Sequence, residues 1–132
     1  MTELEFLEYA LKDYENALRK GYQKRIDKLY VKYGKVPKSE DVPKYLDRFL
    51  TGLCWYKKSV FGRESDIDLD VYFEVSGLNY SSIYEFGNLQ LRIDWMKRAI
   101  ELIKHRQHVE EYKKLGNPKF KYSDDTFKRQ LQ

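Results

Sequence analysis

The segment of this chain with most scope for chemistry alternates acidic with large apolar residues, from Ser65 to Val75. Successive side chains of a β-strand point to opposite faces, so a strand here would place acids on one face and apolar side chains on the other. The acids are Asp66, Asp68, Asp70 and Glu74, and the apolar residues are Ile67, Leu69, Val71, Phe73 and Val75. Alternate carboxylates on a strand lie about 6 to 7 Å apart. Such a row is typical of a metal site, of a surface that meets a positively charged partner, or of a solvated face.

Part of this segment resembles the aspartate strand of small nucleotidyltransferases of the polymerase-β type. The residues that carry the resemblance are Ser65-Asp66-Ile67-Asp68-Leu69, which follow Gly62 and lead into an apolar strand. The resemblance implies that Asp66 and Asp68 bind metal ions that position nucleotide phosphates. That family also has a Gly-Ser pair upstream, where this chain has Phe61-Gly62-Arg63-Glu64. A reduced metal-dependent nucleotidyltransferase is therefore one hypothesis for the function.

Charge is unevenly distributed along the chain, although the formal net charge is only +4. Between Arg19 and Lys38 there are eight bases and a single acid, Asp27, with tyrosines interleaved among them. Lysine and arginine interleaved with aromatic residues are typical of a face that contacts nucleic-acid phosphates. The same pattern also complements the dipole of a long helix, whose C-terminal end favours bases. The predicted polyanion-binding residues are Arg19, Lys20, Lys24, Arg25, Lys28, Lys32 and Lys35.

The spacing of apolar residues predicts three long helices. The first covers residues 3–33, with a Thr2/Glu5 capping box at its start, and would be about 45 Å long. The second covers about 42–59 and ends at Gly62, and the third covers about 88–115. These helices are expected to position the acidic segment between the second and the third.

For the acidic segment itself, the alternation favours a strand over a helix. A strand places all five of its branched or aromatic residues on one face, and the residues from Ser76 to Asn79 are typical of a turn. A hairpin that returns through Tyr80 to Phe86 would follow. The rival interpretation is a helix, because Ile67, Val71, Val75 and Leu78 also recur at steps of three and four. The predicted fold is therefore α+β and predominantly helical, with an antiparallel β-hairpin between helices 2 and 3; the alternative is all-α.

Length and composition indicate a single domain over residues 1–132, with a polar, basic C-terminal tail over 119–132. No stretch is long and apolar enough for a membrane span, and no secretory signal is evident. The lone cysteine, Cys54, cannot form an internal disulfide, which suits a reducing compartment. We expect a cytoplasmic protein without a cofactor.

The leading functional hypothesis is a non-catalytic macromolecule-binding protein. In this interpretation a small inhibitor or adaptor, of the kind that phages and mobile elements encode, engages a nucleic-acid-processing protein or nucleoprotein through the acidic strand face. The first alternative is direct, sequence-independent nucleic-acid binding through the basic half of helix 1. The predicted length of helix 1 also allows the protein to form a homodimer through that helix.

Overall fold

The structure, a computed structural model, describes residues 1–33, 42–62, 67–78 and 86–114, although not the side chains of 30–33 and 114. These residues form six α-helices and no β-strand, so the predicted α+β fold with a hairpin is wrong and the all-α alternative is confirmed. The helices are α1 (Glu3–Arg19), α2 (Tyr22–Tyr33), α3 (Lys44–Asp47), α4 (Leu53–Phe61), α5 (Asp70–Ser76) and α6 (Leu89–Lys114). The returning strand of the predicted hairpin and the tail over 119–132 lie outside the described residues, apart from Phe86.

The predicted first helix is in fact two helices, α1 and α2. Thr2 and Glu5 form the expected capping box at the start of α1. The helix ends at Arg19 because Gly21 adopts a left-handed conformation, with φ of 78°, and its N–H donates to the carbonyl of Leu18. A glycine reaches this conformation at little cost, whereas a residue with a Cβ does not. The prediction of one 45 Å helix is therefore wrong.

The predicted second helix is also divided, into α3 and α4. The carbonyl of Phe49 accepts the N–H of Gly87, and the carbonyl of Thr51 accepts from the guanidinium of Arg92. These tertiary hydrogen bonds take the place of helical ones over the intervening turn, and Gly52 is extended. Gly62 ends α4, as predicted, with φ of 58°.

The described acids of this segment, Asp68, Asp70 and Glu74, lie in or just before α5 rather than on a strand. Three features stabilise this short helix: a carboxylate at its start, a lysine bond just before it and a left-handed glycine at its end. The Glu3 carboxylate accepts the N–H groups of Val71 and Tyr72 at 3.2 and 2.9 Å. Lys57 donates to the carbonyl of Ile67, and Gly77 has φ of 70°. Tyr72, which a strand would have placed on the acidic face, is fully buried.

The longest helix, α6, runs antiparallel to α1 and contributes much of the core. Arg92 near its start donates to the Tyr14 hydroxyl at 2.6 Å, while Ile103, further along, lines the same pocket as Leu4 at the start of α1. One cluster of buried apolar side chains draws on all six helices. Within the described ranges, no helix has the length and apolar character that crossing a membrane requires.

Candidate functional surfaces

The described acids of the predicted row, Asp68, Asp70 and Glu74, do not lie on a β-strand. Asp66 lies outside the described residues, and Asp68 is exposed in the segment that precedes α5. Asp70 and Glu74 are one helical turn apart on α5, and Glu74 accepts two hydrogen bonds from Arg106 at 3.0 and 2.9 Å. No three metal-ligating side chains come together in the described part of the chain. A metal site at Asp66 and Asp68 remains a prediction.

Most of the residues predicted to bind polyanions are exposed, and they lie on α2 and at the adjoining end of α1. On α2, helical geometry places Lys24, Arg25 and Lys28 within an arc of about 100°, and all three are exposed. Arg19 and Lys20, at the end of α1, are exposed as well. Of the other predicted residues, Lys32 belongs to α2 but its side chain is not described, and Lys35 lies outside the described residues. We define the basic surface as Arg19, Lys20, Lys24, Arg25, Lys28 and the exposed Lys44 of α3.

At the centre of the basic surface, one arginine packs against two tyrosine rings. The Arg25 guanidinium carbon lies 5.4 Å from the ring centre of Tyr22 and 5.6 Å from that of Tyr45. Arg25 also donates to the Tyr45 hydroxyl at 3.3 Å, and the two rings meet edge to face at 5.1 Å. Tyr45 remains 41% exposed. Tyr45 was not among the residues predicted from the sequence, because it lies on α3 and not on the helix that carries the basic run. The adjacent Lys44 was the one local sign that Tyr45 could belong to a basic surface.

At the opposite end of the molecule, residues of α1, α5 and α6 line an open groove of about 550 Å³. We call it the acidic groove; it has a floor of Leu4, Val71 and Ile103, and a rim of Glu3, Glu110 and Glu111. Burial raises the pKa of the Glu3 carboxyl, and the N–H groups of Tyr72 and Val71 oppose this shift by stabilising the charged form. The lining of this groove comes from three separate segments of the sequence, so no local pattern predicts it.

The two surfaces are separated by the length of α1. This helix has 17 residues, which corresponds to about 25 Å. Glu3 lies at the end that borders the acidic groove, and Arg19 lies at the end that borders the basic surface. The acidic groove and the basic surface therefore lie at opposite ends of α1.

A third polar cluster, around Asp13, joins three parts of the fold. Arg48 donates to both carboxylate oxygens of Asp13 at 2.8 and 2.9 Å, and the Tyr56 hydroxyl donates at 2.7 Å. Burial, followed by the hydrogen bond to Asp13, raises the pKa of Tyr56, so its hydroxyl keeps its proton at neutral pH. All of these groups are used in holding α1 to α4 and to the turn after α3. We therefore assign this cluster to stability.

Comparison with known proteins gives no relative: no family model matches the chain, and no curated protein or solved structure is significantly similar to it.

Proposed function

We propose that this protein binds nucleic acid without reading its sequence, through the basic surface. The observation that carries the proposal is the Arg25 guanidinium packed on Tyr22 and Tyr45 among exposed cations. The earlier hypothesis of an inhibitor acting through an acidic strand face loses its geometric basis, because residues 70–76 are helical. The basic surface does not depend on that strand.

The charge of the surface favours a polyanion. Its six cations are accompanied by the exposed acids Asp27 and Asp47, and Asp27 accepts a hydrogen bond from Gln23 at 2.9 Å. With six cations and two acids, this surface carries an excess of positive charge. Binding of phosphates by such a surface releases counterions, so the affinity is expected to fall steeply as salt rises.

The exposed tyrosine favours single strands. A base stacked on an aromatic ring contributes about 1–3 kcal/mol whatever its identity. Arg25 and Tyr22 hold the Tyr45 ring in place while leaving it 41% exposed. A base must leave its own helix to reach such a ring, so we expect unpaired nucleic acid to bind more tightly than a duplex.

Charge reversal on the basic surface tests the proposal. The probe is a short labelled oligothymidylate, and its binding is followed by fluorescence anisotropy at several salt concentrations. We compare Lys24→Glu/Lys28→Glu with the control Lys104→Glu/Lys113→Glu, which makes the same change of charge at exposed positions of α6. The first variant should bind at least about tenfold more weakly, with the salt slope reduced by about 0.7 for each lost phosphate contact.

The aromatic contribution has its own variant. Tyr45→Ala should weaken binding of the single strand by about 1–3 kcal/mol and leave the salt slope unchanged, because no phosphate contact is lost. If the charge-reversal variant and its control lose affinity equally, binding reflects overall charge and the proposal is wrong.

A further inference from the structure

We propose that the acidic groove is a docking site for a basic amphipathic segment of another protein. Apolar side chains of that segment would pack on the floor, and its lysines or arginines would meet the rim. This inference concerns the opposite end of the molecule and does not depend on nucleic-acid binding by the basic surface.

The floor of the groove is apolar and continuous with the core. Leu4, Val71 and Ile103 come from three different helices, are half-buried and pack against the buried cluster. Their remaining apolar surface faces a groove whose volume of about 550 Å³ accommodates several side chains. Amphipathic segments bind proteins by inserting apolar residues, spaced at helical intervals, into such a groove.

The rim has the charge that selects a basic segment. Glu110 and Glu111 are exposed, and neither forms an ion pair within the described residues. Among the described residues of the lining, Arg106 is the one cation, and its charge is offset by two hydrogen bonds with Glu74. The groove therefore presents negative charge around an apolar floor, and complementary charge steers encounter and favours cationic partners.

Other occupants fit less well. Nucleic acid and anionic membrane surfaces carry the same sign of charge as the rim, so the rim repels them. A neutral small molecule would leave the carboxylates unused. A second copy of this chain has a basic surface, but its exposed tyrosine is held by an arginine and its cations lie on a convex helix face. A basic amphipathic segment uses both the floor and the rim.

The test uses a synthetic helical peptide of leucine and lysine whose leucines follow helical spacing, and a scrambled peptide of equal composition. Binding to the full chain is measured by titration calorimetry and mapped by amide chemical shifts. We expect the amphipathic peptide to bind more tightly than the scrambled one and to shift the amides of Leu4, Val71 and Ile103.

Matched variants separate the groove from general attraction. Glu110→Lys/Glu111→Lys should weaken peptide binding by about tenfold, since each change removes an attraction and adds a repulsion. The control Asp94→Lys/Glu101→Lys makes the same change of charge at exposed positions of α6 outside the groove, and should have little effect. Lysines near the C-terminal end of a helix suit its dipole, so the first variant should remain folded.

Three results would overturn the inference. The two peptides binding equally, or the two variants weakening binding equally, would mean that the attraction is non-specific. Shifts that cluster away from the floor would place the site elsewhere. Self-association of the wild-type chain that Glu110→Lys/Glu111→Lys abolishes, without peptide binding, would assign the groove to a second copy.

Discussion

Removing the hydroxyl of Tyr56 should destabilise the protein through the loss of one hydrogen bond. The Tyr56→Phe variant keeps the fully buried ring and its contacts with Phe6 and Tyr14, whose ring centres lie 6.0 and 5.1 Å away. It loses the 2.7 Å bond to the Asp13 carboxylate. Hydrogen bonds to charged groups contribute about 1.5–3 kcal/mol. Because the Asp13 side chain is 21% exposed, water competes for it, so we expect about 1.5 kcal/mol, at the lower end of that range.

The assay is urea unfolding followed by circular dichroism, with Tyr9→Phe as the matched control. Tyr9 is another tyrosine of the helical body, but it is 50% exposed, so loss of its hydroxyl should change the free energy of unfolding by less than about 0.5 kcal/mol. Asp13→Ala should cost more, about 3 kcal/mol, because it removes the acceptor of both Tyr56 and Arg48.

A double-mutant cycle decides whether the bond itself is responsible. If it is, Asp13→Ala/Tyr56→Phe should be more stable than the sum of the single changes predicts, by about 1.5 kcal/mol. Additivity within about 0.3–0.5 kcal/mol would refute the reasoning. The sign of the pH dependence offers a second readout: the pKa of Tyr56 is raised above 10.0 in the fold, so the folded state holds this proton more tightly. Wild-type stability should therefore fall above pH 10, and Tyr56→Phe should lack that part of the loss.

Two further changes test the turn after α1 and the start of α5. Gly21→Ala should lower the free energy of unfolding in urea by about 1 kcal/mol. The cause is conformational alone, because a Cβ there meets nothing within 4 Å. A variant as stable as wild type would indicate that α1 and α2 form one continuous helix. Glu3→Gln tests the raised pKa of Glu3: the folded state binds its proton more tightly than the unfolded chain, whose value is 4.5. The wild-type contribution of Glu3 to stability should thus fall as pH rises from 4.5 towards neutrality. The free energy of unfolding of wild type minus that of Glu3→Gln, measured in urea at several pH values, should decrease over this pH range. It would not change with pH if the pKa of Glu3 were unshifted.

The sequence predicted those elements whose signals are local. The Thr2/Glu5 capping box, the end of α4 at Gly62 and the extent of α6 all depend on residues within one or two turns. Apolar spacing, by contrast, continues across Gly21 without a change of phase, so it concealed the division between α1 and α2.

The strand prediction failed for a non-local reason. Residues 67–78 carry apolar spacing that suits either a strand or a helix, and the helix is selected by partners that lie far away in the sequence. Glu3 binds the first N–H groups of α5, and Lys57 binds the preceding carbonyl of Ile67. Neither partner can be identified from the segment itself, since tertiary context overrides weak β propensity.

The candidate surfaces likewise combine features that depend on local sequence with features that depend on contacts between distant segments. A run of bases on one helix is visible in the sequence, and Lys24, Arg25 and Lys28 are indeed exposed together. The partner of Arg25 on α3, Tyr45, and the lining of the acidic groove require knowledge of which helices meet.

The capping of α5 by Glu3 has a consequence for the order of folding. The bond from Tyr72 spans 69 residues of sequence, and closing a long loop costs conformational entropy before the contact forms. A helix of seven residues is too short to persist alone, because helix nucleation is unfavourable. We therefore expect α5 to form late, once α1 and α6 have paired. Its amide protons would then exchange with solvent through local opening well before those at the centre of α6.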